Sequence, residues 1–268
     1  MSKKFYLLVI FGLVIPSIMI FVSFLVMNNK MNETPDTLDA IIKRDSLIVG
    51  VATDTKPFGF IDENGKNAGF DIDIARRIAK HILKNDSKVE FVPVSMADRM
   101  LKLNKGDVDF VIASLTITPQ RSQVVDFSAP YYIAGQAIMV NRDSKIRLLG
   151  DLTGDPVGVV FGTTGEKNIR NLLPTSKIVG YKDLNEAFNA LKNQKIVALT
   201  ADDVVLRPLA INDTSVRILP KRYSREPYGI AFRKDSKNNK LKEQVAFVLS
   251  DMKGNNEIQK LMKKWGID

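Results

Sequence analysis

The chain alternates between two kinds of apolar pattern. Short β-branched runs, "LIVGVA", "KVEFVPV", "DVDFVIAS" and "QAIMVNR", are apolar on both faces and predict strands of a covered sheet. Between the first two, "GFDIDIARRIAKHILKN" places Ile74, Ile78 and Ile82 on one side and Arg76, Lys80 and Lys84 elsewhere, which predicts an amphipathic helix. "MADRMLKLNKG" predicts another, closed by Gly106 as its C-cap. Further on, "PVGVVFGTTGEKNIRNLL" reads as strand, glycine-threonine turn and helix, and "KIVGY", "LNEAFNALKNQ", "IVALTADDVVL" and "VRILPKRYS" continue the alternation. After Glu226 and Pro227 come "YGIAFRK" and two closing helices, "LKEQVAFVLSDMKG" and "NEIQKLMKKWG". Strands alternating with helices predict an α/β architecture with largely parallel sheets.

One stretch follows neither period. Residues 5–27 form an uncharged run of 23 residues behind Lys3 and Lys4, about 34 Å long as a helix. Residues 1–30 are therefore expected to be a hydrophobic signal peptide or membrane anchor, with Pro16 tolerated in mid-span. No small-x-small cleavage site follows in "SFLVMNNKMNE", which favours retention as an anchor. The lysines lie on the N-terminal side, so the remainder is expected outside the cytoplasm, periplasmic or at the cell surface. Residues 31–44 read as a polar spacer with a short helix.

Composition removes several kinds of chemistry. There is no cysteine, which excludes disulfides, thiolate metal sites and cysteine nucleophiles. The single histidine, His81, falls in the amphipathic helix, so histidine triads and multi-histidine metal sites are also excluded. The net charge of +9 alone would suggest nucleic acid. On an exported chain, however, it points to anionic membrane or anionic solutes.

Three stretches carry candidate chemistry. In "SLTITPQRSQ", Thr118 and Pro119 predict a helix start, yet Arg121 is a cation in its first turn, against the helix dipole. Either the side chain swings away to solvent or to Asp126, or it joins the free N–H groups and threonine hydroxyls in gripping an external anion. In "VVFGTTGEKN", Gly162, Thr163, Thr164 and Gly165 run from strand into helix, either as an anion cradle or as a plain turn with Glu166 complementing the dipole. The spacing is not that of a Walker A loop or a dinucleotide fingerprint. Asp202 and Asp203 end the strand of "IVALTADD", where carboxylates point into the ligand crevice of open α/β sheets, although either could cap the next helix. Phe58 and Phe60 in "KPFGF" are core or ligand-facing. Two units offering anion donors, one of them also a carboxylate, suit a zwitterion held between two lobes.

In this order, "LIVGVATDTKPFGFIDENGKNAGFDIDIARRIAK", "VDFVIASLTITPQRSQVVDFSAPYY", "GVVFGTTGEKN", "ADDVVL" and "EPYGIAF" resemble the polar amino-acid solute-binding proteins of ABC importers over residues 45–268. The resemblance implies a two-lobed type II periplasmic-binding-protein fold that closes over its ligand by hinge bending. Lobe 1 would be residues 45–138 and 228–268 and lobe 2 residues 139–227, with "QAIMVN" and "YGIAF" carrying the hinge. It also implies an L-amino-acid ligand, a membrane permease as partner, a monomer, and neither cofactor nor metal. Carried over residue by residue, Arg121 would hold the ligand α-carboxylate with Thr116, Ser114, Thr163 and Thr164, and Asp202 would take the α-ammonium. Phe58 would pack on the ligand. Arg99 matches an arginine that reads the distal carboxylate in glutamate and aspartate binders, while Asp54 matches a contact to the side-chain amide in glutamine binders. Ala52 stands where acidic-ligand members often carry a second basic residue. An acidic amino acid is expected first and glutamine or asparagine second. The readings from other classes are a sensor domain and an enzyme on the same fold, resembling cyclohexadienyl dehydratases, with Glu226 or Asp203 as its acid/base group.

Overall fold

The computed structural model describes residues 36–268; the hydrophobic run at residues 5–27 lies outside them. Among the described residues, no helix is long and apolar enough to cross a membrane. Two five-stranded sheets form the framework. The first runs Val89–Pro93, Leu47–Val51, Phe110–Val111, Ala231–Arg233, Val125–Phe127. The second runs Lys177–Tyr181, Pro156–Val160, Ala198–Asp202, Gln136–Asn141, Val216–Ile218. In each, the first three strands are parallel and the last two pair antiparallel. Parallel strands need helical crossovers that cover both faces, so these runs are continuously apolar rather than alternating. Leu47, Val49 and Val51 in one lobe and Val157 and Val159 in the other have no exposed surface.

A late segment, Ala231–Arg233, enters the middle of the first sheet, which makes that lobe discontinuous in sequence. The chain crosses between the sheets on a separate two-stranded antiparallel ribbon, Tyr132–Ala134 with Glu226–Tyr228. The expected hinge strands are therefore displaced by a few residues. "QAIMVN" lies wholly within the second sheet, and Ala231 and Phe232 of "YGIAF" lie in the first. Both are apolar enough to be sheet interior, whereas the ribbon carries the polar Glu226.

The predicted helices form at Phe70–Leu83 and Arg99–Lys105, the latter closed by Gly106 at φ 85. His81 is half-buried and its Nε2 lies 2.9 Å from Gln244 Oε1. One expectation changes. Thr118 and Pro119 open only a single 3-10 turn, Arg121–Gln123, whose first N–H bonds Thr118 Oγ1 at 3.2 Å. The next residues, Val125–Phe127, are drawn into the first sheet, which leaves no room for further helical turns.

Candidate functional site

The parallel strands of the two sheets end facing one another across a cavity. Its apolar walls are Met96, Val160, Leu184, Ala201 and Val205. Its polar groups are Arg99, Ser114, Thr116, Thr163, Thr164, Gly165, Thr200, Asp202 and Tyr228. Six of the nine expected ligand residues line it: Arg99, Ser114, Thr116, Thr163, Thr164 and Asp202.

Arg121 sits at the rim. Its Nη1 donates to the Thr116 carbonyl at 2.8 Å and its Nη2 reaches across to the Gly162 carbonyl at 2.9 Å. Asp126, its alternative partner, is engaged by Lys242 at 2.7 Å. Two of the guanidinium's five N–H donors are thus engaged. Burial lowers its pKa from the ordinary arginine value, while Glu226 and Asp202 act to raise it. Across the rim, Gly162 holds φ 76, and a Cβ there would lie 2.8 Å from the Met96 carbonyl oxygen and 3.0 Å from Ala97 Cα. Only glycine fits where the two lobes touch.

The next residues form the N-terminus of the helix Thr164–Leu172. Thr163 is its N-cap: its Oγ1 accepts from the Glu166 N–H at 3.3 Å and donates to the Val160 carbonyl at 2.7 Å. Thr164 Oγ1 donates to Glu226 Oε2 at 2.7 Å. Both hydroxyls are engaged, so the donors that this lobe leaves free are backbone N–H groups of the first turn, which have no intrahelical partner.

Asp202 occupies the N-cap position of the helix Asp203–Asn212 but makes no capping bond. It accepts a short hydrogen bond from the Tyr228 hydroxyl instead. Burial raises its pKa to about 7 against the lowering effect of that bond, and the nearby carboxylates of Glu226 and Asp203 raise it further. Asp203 faces away from the cavity and is structural. It accepts from the Gly135 N–H at 3.2 Å, Arg207 Nη2 at 3.0 Å and the Arg222 guanidinium.

Arg99 is 3% exposed. Its Nη1 donates to the carbonyls of Ala113 at 2.6 Å and Ser114 at 3.5 Å, and its Nε has no partner. Burial, and then the charge on Arg121, lower its pKa to about 9. Ser114 holds φ 48, with its N–H donating to Asp71 Oδ2 at 3.0 Å.

Two expected ligand residues lie elsewhere. Phe58 has no exposed surface and packs edge-on against Phe70, Tyr132 and Tyr228, so it is core and not a ligand platform. Asp54 is exposed and pairs locally with Thr55. It lines an outer pocket with Lys56 and Asn185 that shares the Leu184 and Val205 walls of the cavity. The residues that sequence reasoning passed over are Tyr228, Glu226 as the acceptor of the Thr164 hydroxyl and the Asn168 amide, and Asp71. Their only signal was a place inside the "EPYGIAF" and "GFDID" motifs. Among the described residues, no group of three or more His, Cys, Asp or Glu side chains could hold a metal ion.

Residues 47–268 match the family described as Bacterial extracellular solute-binding proteins, family 3. The chain is 42% identical over 205 residues to a glutamine-binding protein of Geobacillus stearothermophilus, covering 76% of this chain and 78% of that protein. It is 38% identical over 232 residues to the ABC transporter glutamine-binding protein GlnH of Bacillus subtilis (strain 168), covering 86% and 84%. Among solved structures, it is similar to an ancestral amino acid-binding protein, AncCDT-1, described as a precursor of cyclohexadienyl dehydratase. That match has a TM-score of 0.79 at 39% identity and covers 85% of this chain and 99% of that one.

Proposed function

Because the chain belongs to the bacterial extracellular solute-binding proteins of family 3, we propose that it captures an L-amino acid, with glutamine the favoured ligand, for an ABC importer. It is a binding protein and not an enzyme: the curated relatives are binding proteins, and the structure with a dehydratase in its description is itself an amino-acid binder.

One observation carries this reading. A half-buried carboxylate, Asp202, faces the same cavity as the free first-turn N–H groups at Thr164 and Gly165, with the Arg121 guanidinium at its rim. An α-ammonium at Asp202 and an α-carboxylate between Arg121 and the helix N-terminus satisfy both sets at once. Ser114 and Thr116 close the carboxylate side, and Met96, Leu184 and Val205 exclude water. Arg99 is left to meet the end of the ligand side chain.

Charge favours an amide over an acid. Two cations, Arg99 and Arg121, stand against three carboxylates, Asp202, Glu226 and Asp71, while Asp203 lies outside the cavity with the half-exposed Arg207 and Arg222, whose charge solvent screens. With all ionised, the site has one negative charge in excess. A glutamine zwitterion leaves that unchanged, and a glutamate adds a second, which is costly where water is excluded. This reverses the order that Arg99 alone suggested, in agreement with the glutamine binders among the relatives. Export, with the permease in the adjoining membrane, is part of the same proposal.

The test is calorimetry and thermal shift of the exported part against the twenty amino acids. Saturable one-to-one binding of glutamine with no conversion of the ligand is expected. Failure of every amino acid to bind would overturn the proposal.

A further inference from the structure

At and behind the cavity wall, four buried polar atoms lie together: Arg99 Nε and Ser114 Oγ, which have no hydrogen-bond partner, and Asp71 Oδ1 and Tyr131 Oη, which face only each other. They form one cluster. Ser114 N–H donates to Asp71 Oδ2, Arg99 Nη1 donates to the Ala113 and Ser114 carbonyls, and the Tyr131 hydroxyl lies beside the Asp71 carboxyl. Asp71 has no exposed surface, Arg99 and Tyr131 are 3% exposed, and Ser114 is 7% exposed. Most buried polar groups are satisfied, so a buried cluster that keeps unpartnered atoms marks a site with work beyond holding the fold.

The sequence forces Asp71 into this position. It stands in the first turn of the helix Phe70–Leu83 behind Gly69, whose φ is 130 and whose Cβ would lie 2.0 Å from the Phe58 carbonyl oxygen. Asp73, the next acidic residue on that helix, turns away to Lys264 and Trp265. The groups facing Asp71 are therefore Arg99, Tyr131 and the Ser114 amide, with Tyr228 and then Asp202 beyond Arg99. Both tyrosines are held neutral, since burial pushes their hydroxyls well above the ordinary value.

We propose that Asp71 is a specificity-determining residue acting through Arg99: ionised, it is the counter-charge that leaves Arg99 able to accept only a neutral amide, and protonated, it releases Arg99 to pair with a ligand carboxylate. The inference rests on the amino-acid reading and deepens it. With Asp71 ionised, glutamate brings a second uncompensated negative charge, whereas with Asp71 protonated the site holding glutamate has the charge it has with glutamine. The proton goes to Asp71 from solvent, and no bond other than that O–H is made. Burial already raises Asp71 to about 7, so the exchange falls within an accessible pH range. Asp202 titrates in the same range. It meets the same ammonium in both ligands, however, so its contribution cancels in the comparison.

The experiment is calorimetry of glutamine and glutamate binding at pH 6 and pH 8, in buffers of different ionisation enthalpy. In the wild type at pH 8, glutamate should take up about one proton more than glutamine. The glutamine-over-glutamate ratio should fall by about tenfold per pH unit as pH drops from 8 towards 7. In Asp71→Asn, which keeps an acceptor for the Ser114 amide, the extra proton should vanish and the ratio should lose its pH dependence. The ratio itself should shift towards glutamate by at least about tenfold. Side-chain-carboxyl 13C-labelled glutamate, read by NMR in the wild-type complex, should show an ionised carboxylate, which places the proton on the protein even if Asp71→Asn fails to fold. An equal proton count for the two ligands, a protonated ligand carboxyl, or equal weakening of both ligands in Asp71→Asn would each overturn the inference. If the wild type binds neither glutamine nor glutamate, this inference fails, while the amino-acid reading fails only if none of the twenty amino acids binds.

Discussion

The Arg121 guanidinium in one lobe donates to the Gly162 carbonyl in the other at 2.9 Å, while Gly162 packs against Met96 and Ala97 of the first lobe. The residue assigned to the ligand carboxylate is therefore also a closing contact. Arg121→Ala removes both roles, and truncating one partner of a buried charge pair costs about 2–5 kcal/mol, or roughly 30- to several-thousand-fold in affinity. Calorimetry checks this, and binding of the variant within threefold of wild type would refute the carboxylate assignment.

Gly162→Ala isolates closure from charge. The new Cβ meets backbone atoms that cannot swing aside, and φ 76 strains any L-residue by about 1–2 kcal/mol. Ligand dissociation should accelerate by at least about tenfold with little change in association, because the closed form is the one destabilised. Stopped-flow kinetics reads both rates, and an unchanged off-rate would show that the lobes do not close through this contact.

Asp202 links binding to pH. Its folded-state pKa of about 7 exceeds the ordinary 3.8, as does that of Asp71. The folded, ligand-free protein therefore holds more protons than the unfolded chain between about pH 4 and 7. These groups make it more stable at pH 5.5 than at pH 8, with the contribution lost as pH rises through 7. The ligand ammonium pairs with ionised Asp202, so the ligand-induced rise in Tm should instead be larger at pH 8. Asp202→Asn should remove much of the pH slope and weaken every amino acid by about 30-fold or more, from loss of the buried counter-charge. A flat wild-type profile from pH 5.5 to 8 would contradict this.

Asp203→Asn is the control for register. It breaks a buried carboxylate clamped by Arg207, Arg222 and the Gly135 amide, so Tm should fall by several degrees, as for a loss of a few kcal/mol. Ligand selectivity should stay as in wild type. If Asp203→Asn instead abolished binding with Tm intact, the ammonium site would have been assigned one residue too early.

Arg99→Met tests the side-chain end of the cavity. Glutamate binding should be lost, because nothing else lining the cavity carries a compensating cation, while glutamine should weaken by only about tenfold, as for one charge-assisted hydrogen bond. Equal losses for both would make Arg99 structural.

Several features were legible because they depend on local chemistry alone. The apolar runs identified both sheets, since a strand covered on both faces must be apolar throughout. Isoleucine spacing identified the long helix, and Gly106 marked the end of the next. The turn from Gly162 to Gly165 could be read as running from strand into helix, because glycine and threonine there are local turn signals. The order of the motifs carried Arg121, Thr164 and Asp202 to one site.

What only the tertiary structure decided are relationships between residues far apart in sequence. A phenylalanine in "KPFGF" serves core or ligand equally well in composition, and only the Tyr132 and Tyr228 rings packed on Phe58 place it in the core. Asp54 is adjacent to ligand-lobe motifs in sequence, yet the short meander of Asp54–Thr55, Gly59–Ile61 and Asn67–Ala68 carries it to the outer pocket. Arg99 on its own suggested an acidic ligand, and the carboxylates that weigh against it in the proposed function, Asp71, Asp202 and Glu226, come near it only in the fold. Sequence period reports which face of an element is apolar. Burial of a charge, and therefore its pKa and its preference among ligands, is set by what the rest of the chain brings against it.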